Sequence, residues 1–250
     1  MKFRSYMLVV LFVLSAVVAG NLYAESWNLS VDASLTLTQN TYSDNWAGGE
    51  GGQISWLFNS NSLAEREFGE KVSCKNTLKL FYGQTHMQDA GTKRWRKPVK
   101  SNDLIDFESV FLFKLFPMVD TYAGFRVESA FFDTSDPENY RYINPLKFTE
   151  SLGLARVLID TEKHDWIVRF GGGFREFVDR DRLDPLTKEK ETSKSNDGGF
   201  IFDSELKTVF AGDRVTFTSK LTVFKAIYNS EADELEEVAG GDYWKAPDVN

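Results

Sequence analysis

The chain has 250 residues, with 21 Phe, an aromatic share of 14% and only six Pro, which suits one large all-β domain better than several small ones. Its formal charge of -8 makes it a poor candidate for nucleic-acid binding, which wants a basic stripe. A single cysteine, Cys74, excludes an internal disulfide framework and reads as a small apolar filler within a strand.

Residues 1–24 read as a secretory signal peptide. Lys2 and Arg4 form a positive start, and residues 7–18 form an apolar stretch of about a dozen residues, too short to cross a bilayer as a helix. Leu22, Tyr23 and Ala24 offer a small residue before the cut, with cleavage after Gly20 as the rival. No Cys lies near the cut, so the leader is not that of a lipoprotein. The mature domain is then residues 25–250.

From residue 27 the chain alternates. Trp27, Leu29, Val31, Ala33, Leu35 and Leu37 face one way, with Asn28, Ser30, Asp32, Ser34, Thr36 and Thr38 facing the other, a period of two that marks a strand with two unlike faces. Residues 39–52 read as a loop. A short strand follows at 53–58, with Ile54, Trp56 and Phe58 on one face, and then a polar connection at 59–70. Residues 71–83 form a third strand, with Val72, Cys74, Leu78, Leu80 and Tyr82 outward and Lys75, Thr77 and Lys79 inward. Residues 84–102 read as a long loop carrying Lys93, Arg94, Arg96, Lys97 and Lys100.

Residues 103–132 form the clearest hairpin. Ile105, Phe107, Ser109, Phe111, Phe113 and Leu115 oppose Asp106, Glu108, Val110, Leu112 and Lys114. A break at 117–120 turns the chain. Ala123, Phe125, Val127, Ser129 and Phe131 then oppose Tyr122, Gly124, Arg126, Glu128, Ala130 and Phe132. Strands of about ten residues, aromatic on one side and charged on the other, are the pattern of a membrane-spanning β-strand.

After a polar loop at 133–145, a strand at 147–159 carries two competing apolar sets. Phe148, Leu152, Leu154 and Leu158 stand against Ala155, Val157 and Ile159. A charged turn leads to a strand at 166–177, where Trp166, Val168, Phe170 and Phe174 oppose Arg169 and Arg175. Gly171, Gly172 and Gly173 fall mid-strand, where they ease curvature or close strand approach rather than cradle a phosphate. Residues 178–196 read as a charged loop, 200–210 and 215–227 as two strands joined by a tight turn, and 228–247 as an acidic loop. Short and long connections alternate, as between the turns and the longer outer loops of an outer-membrane barrel. Only the connection at 59–70 breaks that parity. The strand count is nine where bacterial single-chain barrels carry an even number, and the residues up to Asn250 lack a terminal aromatic strand. Either a strand has been missed or the protein continues.

The expected architecture is an all-β, antiparallel up-and-down transmembrane β-barrel, with about nine or ten strands in this chain. Its inward face carries Asp32, Lys75, Lys79, Asp106, Glu108, Lys114, Arg126, Glu128, Arg169, Arg175, Asp203, Glu205, Lys207 and Lys220. Such groups either pair across a narrow interior or line water in a wide one. No zinc spacing, phosphate loop or catalytic motif is present, and neither cofactor nor metal is expected. A rim hydrolase would have to be built on His86 with Ser109 or Ser129. His164 lies in a turn on the opposite rim. The cations of 93–100 suit lipopolysaccharide phosphates or a solvated loop. The acidic runs at 179–191 and 231–237 suit divalent cations or plain solvation.

Asn45, Trp46, Ala47, Gly48 and Gly49 lie in the first loop, soon after Trp27 opens the first strand. This segment resembles an uncharacterised family of Gram-negative outer-membrane β-barrel proteins, grouped as a domain of unknown function, whose members carry a similar run early in the mature chain. The resemblance implies an outer-membrane barrel with no known activity. The expected protein is thus non-enzymatic, a structural barrel or small pore in the bacterial outer membrane, touching membrane lipid and lipopolysaccharide. A soluble periplasmic β-sandwich that binds an apolar ligand or a protein is the alternative.

Overall fold

The structure, a computed structural model, describes residues 27–43, 50–136, 139–183, 187, 189–233 and 246–249. The leader and the run from Asn45 to Gly49 lie outside the described residues. The strands in chain order are β1 (Asn28–Asn40), β2 (Gln53–Phe68), β3 (Val72–Met87), β4 (Val99–Phe113), β5 (Asp120–Ser129), β6 (Phe132–Asp133), β7 (Arg141–Tyr142), β8 (Leu146–Asp160), β9 (His164–Leu183), β10 (Lys190–Phe210), β11 (Val215–Asn229) and β12 (Asp248–Val249). One antiparallel sheet holds all but two of them, in the order β1-β2-β3-β4-β5-β8-β9-β10-β11-β12, while β6 and β7 pair as a small hairpin of their own. Apart from that excursion the chain simply runs up and down.

Several stretches expected to be loops are strand; at the expected loop 84–102, residues 84–87 lengthen β3 and 99–102 lengthen β4. Residues 59–68 complete β2, where Asn59, Asn61 and Glu65 pair with Ser34, Asp32 and Asn28 of β1 on one side and with Phe81, Lys79 and Lys75 of β3 on the other. Asn and Ser are poor strand formers, but ladders on both flanks outweigh intrinsic preference. The turn to β3 shrinks to residues 69–71, with Gly69 at φ 66°, a left-handed conformation that suits glycine. The exception to the loop parity is thereby removed. Residues 178–183 and 190–196 likewise extend β9 and β10. Their pairing with β8 and β11 stops at Val178 and Asp197, so along the ladders residues 179–183 and 190–193 pair only with each other. The hairpin of β4 and β5 is shorter than expected. Leu115 lies beyond β4, while Ala130, Phe131 and Phe132 lie beyond β5.

The ambiguous strand has a mechanical explanation. β8 and β9 slip register between Val157 and Ile159, so that Val157 opposes Ile167 while Ile159 opposes Trp166. A bulge moves every later residue to the other face. Val157 therefore faces inward with Ala155, and Ile159 faces outward with Trp166.

The sheet is strongly coiled. β3 and β10 are five strand steps apart in the sheet, about 24 Å if it were flat. Yet Lys75 Nζ of β3 lies 3.0 Å from Glu205 Oε2 of β10, and Lys220 of β11 is paired with Glu108 of β4. Only a sheet rolled onto its own concave face allows both contacts. The expected closed barrel is not formed among the described residues: no ladder joins β1 to β11 or β12. Every residue of β1 is exposed, and the outer edge of β11 is covered only at Val223 and Phe224. The convex face carries bare apolar side chains, among them Leu35 at 71% exposure, Leu152 at 68% and Phe170 at 55%. No helix among the described residues is long and apolar enough to cross a membrane, which says nothing of strands.

Candidate functional site

The concave face is a charged interior resting on two small apolar patches, Val110, Leu112, Tyr122 and Ala155 in one and Ile201, Phe224 and Ala226 in the other. Alternation puts charge there because side chains i and i+2 share a face. The coil then brings distant strands together. Glu205 is the hub: Arg169 lies 2.5 Å from it, Lys75 3.0 Å and Lys220 3.5 Å. Arg169 is 3% exposed, also faces Asp203 at 3.7 Å, and lies over the Tyr122 ring at 5.8 Å. Asp203 in turn accepts a hydrogen bond from the Thr222 hydroxyl at 2.6 Å. Buried charges persist only when paired and hydrogen-bonded, and here three cations share four carboxylates once Glu65, Glu108 and Asp203 are included.

This layer divides the interior. A cavity of about 270 Å³ lies toward the longer loops, lined by Arg126, Glu128, Lys147 and Asp248. A second, of about 500 Å³, lies toward the short turns, lined by Lys114, Asp160, Asp165 and Glu205. Both touch Val110 and Arg169. The arrangement can hold polar solute or water on either side, while its own ion pairs fill the middle.

Most of the expected inward charges join this system. Arg126 grips Asp106 with two hydrogen bonds, at 2.7 and 2.9 Å, and approaches Glu128 at 3.2 Å. Arg175 stacks on Phe224 at 3.8 Å and pairs with Asp197 and Asp248. Lys114 pairs with Glu67 at the exposed lower rim. Asp32, Lys79 and Lys207 share the concave face by register, opposite Asn61, Asp106 and Asp165, but stand outside the network. Glu65, Lys147, Asp197 and Asp248 belong to it and were missed. Carrying the alternation of β2 on through Asn61 and Leu63 would have found Glu65.

The rim-hydrolase geometry is not assembled. Ser109 opposes Asn76, ten positions along β3 from His86, roughly 34 Å of strand. Ser129 donates its hydroxyl to the Pro145 carbonyl at 2.9 Å, and His164 Nδ1 lies 2.6 Å from the Thr208 hydroxyl. Among the described residues no group of three His, Cys, Asp or Glu could hold a metal.

Above the sheet the chain builds a polar cap that alternation could not foretell. Arg141 bridges Asp133 at 2.5 Å and Asp179 at 2.6 Å. The Asn144 amide, 1% exposed, donates to both carboxylates at 2.9 and 2.7 Å. Burial alone would raise the Asp133 carboxyl, but the Ser135 amide and hydroxyl, Asn144 and Arg141 together hold it below its ordinary value. In the neighbouring loop Arg96 and Thr92 hold Asp89 well below the carboxylate range. Carboxyls lowered by folding stabilise fully above their unfolded value, near pH 4, and lose that contribution as pH falls through the folded one. Amide exchange in residues 88–96 and 130–145 should therefore be flat from pH 5 to 8 after correction for intrinsic rates, and should rise below about pH 3. The cations of 93–100 are partly spent within the protein, Arg96 on Asp89 at 2.5 Å and Lys100 on Asp103 at 2.8 Å. The run at 179–191 likewise contributes Asp179 to the cap.

Residues 37–134, less than half of the chain, match the family described as "Protein of unknown function (DUF3078)". The match spans the end of β1 through β6 and is consistent with an uncharacterised family. No curated protein matches the chain. No solved structure matches it either.

Proposed function

We propose that this chain is a non-enzymatic outer-membrane protein of the β-barrel class, a structural barrel plugged by its own interior charges rather than an open pore. The division of faces carries the reading. Leu35, Leu152, Phe170 and Phe217 stand bare on the convex side, while Arg169, Glu205 and Lys75 close the concave side. Large apolar patches exposed on a monomer mark a surface that meets something apolar, and no second sheet covers them among the described residues. On the convex face of β2, Trp56 and Phe68 are twelve positions apart. At about 3.4 Å per residue and a tilt of about 40°, they would stand about 30 Å apart along a membrane normal, near the spacing of the two aromatic girdles. Glu150 and Arg156 share the outward face of β8, opposite Phe174 and Val168, and the long Arg156 side chain can extend along the surface toward the nearer interface.

The same reading gives the protein membrane lipid as its principal partner, with Lys93, Arg94 and Lys97 offered to lipopolysaccharide phosphates. It should be tested on the purified full chain. Extraction should require detergent, and the protein should float with vesicles. In planar bilayers it should be electrically silent or show only rare small openings. Sustained conductance would overturn the plug in favour of a pore, and partition into buffer without detergent would overturn the membrane assignment.

A further inference from the structure

Arg66 of β2 is a buried cation with no carboxylate paired to it among the described residues. It is 5% exposed, and it pairs in register with Cys74 of β3, one row above the outward Phe68. Its guanidinium carbon lies 4.8 Å from the Phe68 ring and 5.6 Å from the Trp27 ring. The two rings meet edge-on at 6.3 Å. Its Nε makes no hydrogen bond. The carboxylates on either side in sequence point to the concave face, Glu65 toward Lys75 and Glu67 toward Lys114. No carboxylate among the described residues pairs with Arg66. Aromatic faces attract a cation but do not neutralise it, and a desolvated charge ordinarily has a counter-ion.

The position says which anion. Arg66 is two residues from the lower end of β2, on the rim of short turns and on the convex side, where Leu29 and Phe68 are exposed. In the membrane reading this is the level of the headgroups in the leaflet nearest the short turns. A guanidinium presents a planar fork that matches a phosphate, and basic sites at membrane level are a common means of holding lipid headgroups. We propose that Arg66, between Trp27 and Phe68, is a binding site for the phosphate of a single phospholipid whose acyl chains lie along the apolar convex face of β1. The proposal rests on the membrane reading above.

The test is native mass spectrometry of the full chain released from nanodiscs of phosphatidylglycerol. The wild type should retain one lipid. Arg66→Gln should lose at least about tenfold in affinity, Arg66→Lys should lose less, and the rim control Lys114→Gln should bind like the wild type. Inorganic phosphate at millimolar concentration should not displace the lipid, because it lacks the chains; displacement would reduce the site to a simple anion site. Glu25→Gln should leave retention unchanged; a gain in lipid would show that the chain supplies the anion itself. If Arg66→Gln fails to fold, brominated phospholipid decides on the wild type. Quenching of the fluorescence lost in Trp27→Phe is then expected, and its absence would overturn the site. Vesicle flotation separates the two layers of argument. A protein that floats, with retention equal in wild type and Arg66→Gln, sinks this site alone, whereas one that does not float sinks both.

Discussion

Replacing Arg169 by methionine should destabilise the folded protein by about 3–5 kcal/mol, the usual cost of stranding buried charges by removing one partner. The guanidinium is 3% exposed, and its loss leaves Asp203 and Glu205 side by side on the inner face of β10 with Lys75 and Lys220 as the remaining cations. Methionine keeps volume but neither charge nor donors. Denaturant unfolding in detergent, followed by tryptophan fluorescence, gives the number. The double change Arg169→Met with Glu205→Gln should recover part of the loss, since it removes a stranded carboxylate along with its cation. The two cavities meet at Arg169, so the single variant should also show conductance that the wild type lacks. A variant as stable and as silent as the wild type would mean that the ion pairs do not close the interior.

Gly171→Ala should cost about 1–3 kcal/mol or more, the scale of forcing atoms into a packed site. Its Cβ would stand 2.2 Å from the Leu152 carbonyl oxygen and 2.8 Å from the Gly153 Cα. These are backbone atoms of the neighbouring strand and cannot rotate away. Gly153 opposes Gly171 directly, so β8 and β9 press together at a point where the inner face has room for neither side chain. Gly172→Ala is the built-in control. A Cβ there meets nothing within 4 Å, so the change should be neutral or stabilise by up to about 1 kcal/mol through the unfolded chain. Comparison of the two unfolding midpoints checks the pair, and equal midpoints would remove the close approach from the account of the curl.

The outward and inward sets of β3, β4 and β5 could be read directly, because a period of two is local and one face of each strand differs sharply from the other. The length of β2 could not. Asn59, Ser60, Asn61 and Ser62 look like a loop until β1 and β3 pair with them on both sides. The faces of β8 were ambiguous because a bulge at Leu158 reverses them, and bulges leave no mark on hydropathy. The cap of Asp133, Arg141, Asn144 and Asp179 was invisible because its members come from separate segments that meet only when β9 rises past β8.

Alternation along the chain by itself determined that this protein is antiparallel β, and which side chains share a face, because the pleat assigns successive residues to opposite sides regardless of what surrounds them. Only the tertiary structure decided that Glu205 meets Lys75, that Arg169 separates two cavities and that Arg66 is left among aromatic rings. Those contacts depend on how far the sheet rolls, and rolling is set by bulges, by close glycine approaches and by pairing between strands remote in sequence.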